Sequence, residues 1–417
     1  MGKLALVLSA GGARGAYEAG VLYYLRTQLP PKHAQRAFEI FAGTSVGALN
    51  TVAMAALAED PRKQAEKIKE LWFSIRQEDV YLRNLGAATH FLGSTVGGIL
   101  RNFLTFNPFN LTRRRGPHFN SFLDTSPLRA FLKKTIPWDL VDKNVRQGSI
   151  EAIAINATNL RSGRHELFLQ RKPSVQYQGH YQYYDVKLGV EHAMASAAIP
   201  IIFPAVKIEG TYYADGGLRL FTPMSPAIQL GADALIVVGL RYRSSDRSNG
   251  NGKGKGKKDM KEPTIALQLG RMLNGVFLDR IEYDMEQLER INSIVDTSEK
   301  VYGADYLEKL NKKMARDGLK VDIASRGLRK IRAVEIKPSQ SISGIFLDWM
   351  QKTRKSDFKF ASLEKVLIRL LDIDPASGSD LLSYLTFAPD YLKTLFNLGF
   401  EDTKGQRQSI LDVLNFE

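Results

Sequence analysis

The clearest candidate for chemistry in this sequence is a serine. Ser45 lies in the pattern Gly-x-Ser-x-Gly at residues 43–47, between an apolar run that predicts a strand, Phe38–Ala42, and one that predicts a helix, Val46–Ala58. In this context the pattern is typical of a nucleophile elbow, a sharp turn that exposes a serine hydroxyl at the end of a sheet. The same turn also serves ordinary packing of a helix against a sheet, so the pattern alone leaves both interpretations open.

A glycine loop near the start of the sequence is the second candidate. Leu4–Leu8 predicts a buried parallel strand, and it is followed by Ser-Ala-Gly-Gly-Ala-Arg-Gly at residues 9–15 and a predicted helix, Ala16–Gln28. The backbone N–H groups and positive helix end of such a loop suit a negative oxygen, either in a phosphate cradle or in an oxyanion hole. Dinucleotide-binding loops need glycine where Ala10 stands. Since a right-handed crossover brings successive strand ends to one sheet edge, Ser45 on the next strand favours the oxyanion hole.

A serine nucleophile also needs a base. In the usual hydrolase order the acid precedes a late histidine, but none of the six histidines follows Asp215. Asp215 itself begins an Asp-Gly-Gly sequence, which a predicted hairpin of Val206–Ile208 and Thr211–Ala214 delivers. The sequence has no cysteine and no His, Asp or Glu cluster with metal-ligand spacing, so we expect neither a thiolate nucleophile, nor a metal, nor a cofactor.

Taken in order, the glycine loop with its arginine, the Gly-x-Ser-x-Gly pattern and the late Asp-Gly-Gly resemble the patatin-like phospholipase family. That family uses a serine–aspartate dyad without histidine. The matching motifs span Leu4–Gly217 and include the Ala-Ser-Ala-Ala-Ile-Pro run at residues 195–200, and residues 270–274 and 384–402 also look like those of bacterial members. Ala10 departs from the family, which usually has glycine there.

This resemblance implies a three-layer α/β/α fold with a mainly parallel central sheet and a largely helical C-terminal extension. It implies that Ser45 is the nucleophile, Asp215 the base, and the N–H groups of Gly11 and Gly12 the oxyanion donors, while Arg14 supports the loop or meets a substrate phosphate. The implied activity is hydrolysis of carboxylic esters in phospholipids or lysophospholipids. A transacylase with the same dyad and a non-catalytic lipid-binding protein are the alternatives.

Hydrophobic periodicity predicts the remaining elements. They are a helix at Pro61–Ile75, strands at Gly148–Asn156 and His165–Gln170 joined by a polar loop Thr158–Arg164, a helix at Val190–Ile199, a strand at Ala234–Leu240, a helix at Ile265–Val295, and a strand at Ile331–Ile336 that extends the same sheet.

The resemblance implies a patatin-like catalytic domain at residues 1–243. Composition predicts a flexible basic Gly/Lys-rich loop or linker at 244–263, and a mainly helical part at 264–417 is expected to pack on the catalytic domain. The net charge is +14, from 58 Lys and Arg against 44 Asp and Glu. The segment Arg241–Lys261 alone holds eight Lys and Arg against two Asp, a net charge of +6. Because the rest is only mildly basic and has no nucleic-acid-binding motif, we expect attraction to a membrane surface rather than to nucleic acid.

Two further features concern the membrane. Phe91–Phe109 is rich in aromatic residues and is followed by Arg113–Arg115, which suits either an interfacial lid over a lipid site or an ordinary helical cap. The five apolar residues before Ser9 are too few for a signal peptide, and no run approaches the roughly 18 needed to span a bilayer. We therefore expect a cytoplasmic protein that acts peripherally at a membrane. The sequence does not predict an oligomeric state.

Overall fold

The structure, a computed structural model, describes residues 2–83, 121, 123–177, 179–242, 281–318, 329–355 and 375–415, with backbone alone at 354–355 and 375–379. The predicted apolar lid at Phe91–Phe109 and the predicted linker at 244–263 lie outside these ranges, as do residues 270–274. The strands are β1 (Leu4–Leu8), β2 (Ile40–Thr44), β3 (Leu82–Arg83), β4 (Leu123–Asp124), β5 (Ala152–Asn159), β6 (His165–Arg171), β7 (Gln182–Asp185), β8 (Val206–Ile208), β9 (Thr211–Asp215), β10 (Ala234–Val238) and β11 (Arg332–Ile336).

Helices connect and cover these strands. They are α1 (Gly15–Thr27), α2 (Pro31–Ala34), α3 (Val46–Ala56), α4 (Pro61–Ser74), α5 (Gln77–Val80), α6 (Ser126–Thr135), α7 (Trp138–Gln147), α8 (Val190–Ser196), α9 (Met224–Gln229), α10 (Ile281–Tyr302), α11 (Tyr306–Arg316), α12 (Ile342–Lys355), α13 (Pro375–Leu385), α14 (Pro389–Gly405) and α15 (Arg407–Leu414). Within the described ranges, no helix is both long enough and apolar enough to cross a membrane.

The main sheet is mixed but parallel at its centre. Its order is β11-β10-β1-β2-β5-β6-β7, and the first five of these strands run parallel to one another. The hairpin of β8 and β9 joins it through an antiparallel pairing of β9 with β5. As predicted, the strand near residue 334 belongs to this sheet, where it lies beside β10.

Both faces of the sheet are buried, because its central strands are continuous apolar runs whose side chains alternate between faces. In β1, Leu4, Leu6 and Leu8 join a core with α1, α3, α4 and α14, whereas Ala5 and Val7 join a second core with α9 and α10. Helices therefore cover each side of a mainly parallel sheet. The predicted α/β/α layering and helical C-terminal region are confirmed.

Helix α14 of the C-terminal region packs along α1. Aromatic rings join them, with centroids 5.6 Å apart for Tyr23 and Phe396 and 5.1 Å apart for Tyr24 and Phe400. Tyr391 and Leu395 on α14 are fully buried. The C-terminal helices thus share the core of the layer that holds α1.

Several predicted boundaries are wrong. Thr158 and Asn159 belong to β5 rather than to a polar loop, because they pair with Ala214 and Tyr213 of β9. The predicted strand Phe38–Ala42 begins two residues later and continues through Thr44, which pairs with Asn156. The four- and six-residue helices α5 and α9 and the strand β7 were not predicted, because runs of this length carry little periodicity. The ten-residue helices α6 and α7 were also not predicted, although their buried residues recur at helical spacing.

Candidate active site

Ser45 occupies a strained turn between β2 and α3. Its backbone has φ 55° and ψ −122°, a region that residues with a side chain rarely adopt. A side chain at Gly47 would overlap the carbonyl oxygen of Leu8, so glycine allows α3 to start directly against the end of β1. The Ser45 N–H donates to the Ser196 hydroxyl over 2.9 Å, and that hydroxyl donates to the Asn156 carbonyl over 2.7 Å. The turn is therefore held by contacts outside its own loop.

Strand β5 brings Asp215 to Ser45. β5 is longer than β2, and the space beyond the end of β2 is taken by β9. Consecutive residues of β5 then have partners from distant parts of the chain: Asn156 pairs with Thr44, and Ala157 pairs with Asp215. Because Ser45 follows Thr44 directly, its side chain and that of Asp215 meet at the same point of the sheet.

The two side chains are hydrogen-bonded and almost completely buried. Ser45 Oγ donates to Asp215 Oδ2 over 2.6 Å, and the Gly217 N–H donates to Asp215 Oδ1 over 2.7 Å. Ser45 is 3% and Asp215 1% exposed. Burial raises the pKa of Asp215 to about 7, against the hydrogen bonds from Ser45 and Gly217, which favour the ionised form. Near neutral pH this carboxylate therefore has the proton affinity that a general base needs.

The described histidines have their contacts elsewhere. His33 bonds to Asn415, His165 and His180 lie against the Tyr181 ring, and the His192 ring accepts the Gly189 N–H. His90 and His118 lie outside the described residues. In the described part of the chain, the side-chain partner of Ser45 is a carboxylate.

The glycine loop faces the same cavity as the serine. Gly12, Ser45 and Val46 all line it. Within the described residues, no hydrogen bond uses the N–H groups of Gly11, Gly12 or Val46. Gly11 is covered by the Leu240 side chain. Gly12 and Val46, whose N–H groups have no partner among the described residues, therefore line the cavity that holds Ser45.

The cavity itself is apolar. Its volume of about 650 Å³ includes space that is open to solvent at its mouth. Its polar side chains among the described residues are Ser45, Asn50 and the Trp72 indole, and the indole N–H is used by Asn50 Oδ1 over 2.8 Å. The walls are aliphatic and aromatic, with Leu49, Leu71, Phe131, Phe203 and Phe387 among them. A hydrocarbon chain suits such a cavity, because it gains from burial and needs no polar partner.

A buried carboxyl lies behind the cavity wall. Glu18 is fully buried, accepts a hydrogen bond from Asn50 Nδ2 over 2.8 Å, and has no hydrogen-bond partner for Oε1 within the described residues. Burial raises the pKa of Glu18 well above its ordinary value, although hydrogen bonds from Asn50 and the Ser9 backbone favour the charged form. Burial therefore favours the protonated form of Glu18, and its hydrogen bond helps to fix Asn50 between α1 and α3.

Arg14 follows the glycine loop, and its side chain turns away from solvent toward the C-terminal region. Its guanidinium bonds to Asp380 and Ser383 and lies over the Tyr384 ring. Sequence reasoning missed these three partners, since nothing in their pattern marks them. It also gave no role to Ser196, although the run at residues 195–200 contains it.

The fold and the site define an α/β protein whose mainly parallel sheet places a buried serine–carboxylate pair at one edge. A family model described as Patatin-like phospholipase matches residues 6–228, which is more than half of the chain. The chain belongs to the patatin-like phospholipase family. The match contains the glycine loop, Ser45 and Asp215, and it ends before β10.

Other comparisons add little. Among solved structures, the crystal structure of VipD from Legionella pneumophila is similar at 13% sequence identity with a TM-score of 0.29, over 95% of this chain and 67% of that chain. A likeness of that strength supports no argument about this protein. Comparison with curated protein sequences gives no match. Among the described residues, no group of three or more His, Asp or Glu side chains is arranged to hold a metal ion.

Proposed function

We propose that this protein is a lipid acyl hydrolase of the phospholipase A or lysophospholipase type. It cleaves a carboxylic ester through an acyl-enzyme on Ser45, with Asp215 as the base. The observation that carries the proposal is the 2.6 Å hydrogen bond from Ser45 Oγ to Asp215 Oδ2 at an apolar cavity. Membership of the family supports the substrate class, since the family is one of lipid acyl hydrolases.

The reaction begins when Ser45 Oγ attacks the ester carbonyl carbon and Asp215 accepts the hydroxyl proton. The carbonyl π electrons move to the oxygen, which becomes the oxyanion of a tetrahedral intermediate. The N–H groups of Gly12 and Val46, which line the cavity with Ser45, stabilise this charge. The family resemblance implies Gly11 as a further donor, although the Leu240 side chain lies against it. One such donor is typically worth about 3 kcal/mol.

The intermediate collapses when the bond to the leaving alcohol breaks, and the alcohol takes the proton from Asp215. Water then attacks the acyl-enzyme while Asp215 accepts a proton from the water. The ester bond to Ser45 breaks, a fatty acid leaves, and the proton returns to Ser45 Oγ. Each proton that Asp215 takes is returned, so the cycle regenerates the starting form of the enzyme.

Two properties of the site help a carboxylate to act as base toward an alcohol. The raised pKa of Asp215, caused by burial, makes it a stronger base than an exposed aspartate. Ser45 also lies at the N-terminus of α3, where the helix dipole stabilises negative charge on its oxygen.

The test is release of fatty acid from phospholipid and lysophospholipid vesicles by wild type, Ser45→Ala and Asp215→Asn. We expect each substitution to lower the rate by at least about 10²-fold, because general-base and nucleophile losses are of this size or larger. Both variants should retain the far-UV circular dichroism of wild type. Wild-type rates in either folded variant would rule out the proposal.

The same acyl-enzyme could pass its acyl group to an alcohol, thiol or lysolipid instead of water. Product analysis with these acceptors present separates the two reactions. Hydrolysis predicts free fatty acid as the main product at all acceptor concentrations, whereas a transacylase yields mainly the acylated acceptor.

A further inference from the structure

The glycine loop is fixed by residues that lie far beyond the family match. Arg14 is 6% exposed. Its Nε and Nη2 donate to Ser383 Oγ over 3.0 and 2.6 Å, and Nη2 also donates to the carboxylate and the carbonyl oxygen of Asp380. The guanidinium carbon lies 3.8 Å from the centre of the Tyr384 ring. Charge, hydrogen bonds and stacking thus fix Arg14 in one orientation, and burial excludes water as a substitute partner.

The backbone of the glycine loop lies against α13, the helix that contains Asp380, Ser383 and Tyr384. Gly12 has φ +54°, and a Cβ atom there would overlap the carbonyl oxygen of Tyr384. The main chain of α13 therefore lies directly against the loop. The Tyr81 hydroxyl donates to the Leu385 carbonyl over 2.6 Å, and this hydrogen bond fixes the C-terminal end of α13.

The segment after α13 reaches the cavity. Phe387 is 7% exposed and lines the cavity together with Ser45. Its ring is stacked with that of Trp72, with centroids 6.4 Å apart and planes 12° apart. One short segment, residues 380–387, therefore contacts both the glycine loop and the wall of the cavity.

We propose that residues 380–387 complete the active site: Asp380 and Ser383 position the glycine loop through Arg14, and Phe387 sets the length of acyl chain that the cavity accepts. This inference rests on the proposed hydrolase function. Oxyanion donors act only when they lie about 2.7–3.1 Å from the oxyanion, and a loop with adjacent glycines has little rigidity of its own. The contacts of Arg14 and Tyr384 supply that rigidity from outside the matched domain.

The positioning role is tested with Asp380→Ala and Asp380→Ala/Ser383→Ala on a soluble short-chain ester such as p-nitrophenyl butyrate. A displacement of about 1 Å can cost about 10²-fold in rate. We expect kcat to fall by about 10- to 100-fold in the double variant and less in the single one, with KM changed by less than about twofold, because the cavity walls remain. Asp380→Asn keeps an oxygen acceptor for Arg14 and should restore most of the kcat.

Glu401→Gln is the matched control. It removes an exposed ion pair between Glu401 and Lys404 within α14, and it should leave kcat unchanged because neither residue lines the cavity or contacts Arg14. Asp380 is itself partly exposed, with 32% of its side chain accessible, so the single variant should fold if the double one does not. Wild-type kcat in Asp380→Ala, or a rise in KM with unchanged kcat, would overturn the positioning role.

The specificity role is tested with Phe387→Ala, using Phe400→Ala on α14 as the control. We expect the ratio of kcat/KM for a decanoyl over a butyryl ester to rise by about tenfold in Phe387→Ala, because the removed ring leaves space in the wall. Phe400 packs on Tyr23 and Tyr24 instead, so its loss should leave the ratio unchanged. An unchanged ratio in Phe387→Ala would refute this role.

The outcomes also separate this inference from the proposed function. Wild-type turnover that is lost in Ser45→Ala establishes the hydrolase, and the Asp380 and Phe387 variants then decide on residues 380–387. Absence of turnover that depends on Ser45 would overturn both.

Discussion

Replacing Asp215 by asparagine should abolish activity and at the same time stabilise the protein above neutral pH. Asparagine has the same shape: its oxygen can accept the Gly217 N–H and its amide can donate to Ser45 Oγ, so the hydrogen-bond geometry is retained. The substitution removes the negative charge of Asp215, a residue that is only 1% exposed. A buried carboxylate is costly to ionise, and its amide analogue has no such cost.

The magnitude follows from the pKa. Burial raises the pKa of Asp215 from the 3.8 of an ordinary aspartate to about 7. Between these values the folded protein retains a proton that the unfolded chain has lost, so stability falls as pH rises, by about 1.36 kcal/mol per pH unit. The stabilising contribution of this proton is complete below pH 3.8 and is lost by about pH 7, a total of about 4 kcal/mol.

The assay is urea denaturation of wild type and Asp215→Asn between pH 4 and 9. Titration of all other groups is common to both proteins and cancels in the difference. We expect the variant to gain on wild type by about 4 kcal/mol between about pH 4 and 7, and the difference to stay constant above pH 7. Asp139→Asn is the control, because the Asp139 side chain is 97% exposed and should show no such dependence. A pH-independent difference for Asp215→Asn would refute the raised pKa.

Four further predictions concern activity, stability and binding. The kcat/KM of wild type should rise with pH and level off above about 7, because Asp215 must be ionised to accept the Ser45 proton; a rate that falls over that range would contradict this. Ser196→Ala should lower kcat by about tenfold and cost about 1–2 kcal/mol in urea denaturation, since it removes the acceptor of the Ser45 N–H; unchanged values would mean that this bond is dispensable. Glu18→Gln should be active and at least as stable as wild type at pH 8, because burial raises the pKa of this carboxyl whereas a neutral amide has no charged form to desolvate; a large loss of stability would contradict this effect of burial. Deleting residues 244–258 should weaken sedimentation with anionic vesicles at low salt while hydrolysis of a soluble ester persists, since each Lys or Arg near such a surface is worth about 1 kcal/mol; unchanged binding would mean that this segment is not a tether.

Much of the sheet could be predicted from local pattern. Leu4–Leu8 and Ala234–Val238 are continuous apolar runs, and parallel strands buried on both faces require such runs. The elbow could also be predicted, because Ser45 needs glycine neighbours where α3 approaches β1. The boundary of β5 could not, since Thr158 and Asn159 are polar residues that pair with β9 and so depend on a distant hairpin.

In the candidate site too, local motifs predicted some residues, whereas others depend on contacts between distant parts of the chain. Ser45 and Asp215 were identified from motifs and from the family resemblance, but their meeting depends on adjacent pairings along β5 that no local pattern encodes. The contacts of Asp380 and Ser383 with Arg14 join residues more than 360 positions apart. Such contacts arise from packing of α13 against the loop and leave no periodic signal in the sequence.

The central claim is that Ser45 carries the acyl group and that Asp215 activates it. The most direct measurement is mass spectrometry of the protein after reaction with a fluorophosphonate at pH 8, followed by proteolysis and assignment of the modified residue. We expect one phosphonyl group on Ser45 in wild type, none on Ser45→Ala, and a labelling rate at least about 10²-fold lower in Asp215→Asn. An adduct on another residue, or labelling of Asp215→Asn at the wild-type rate, would contradict the account.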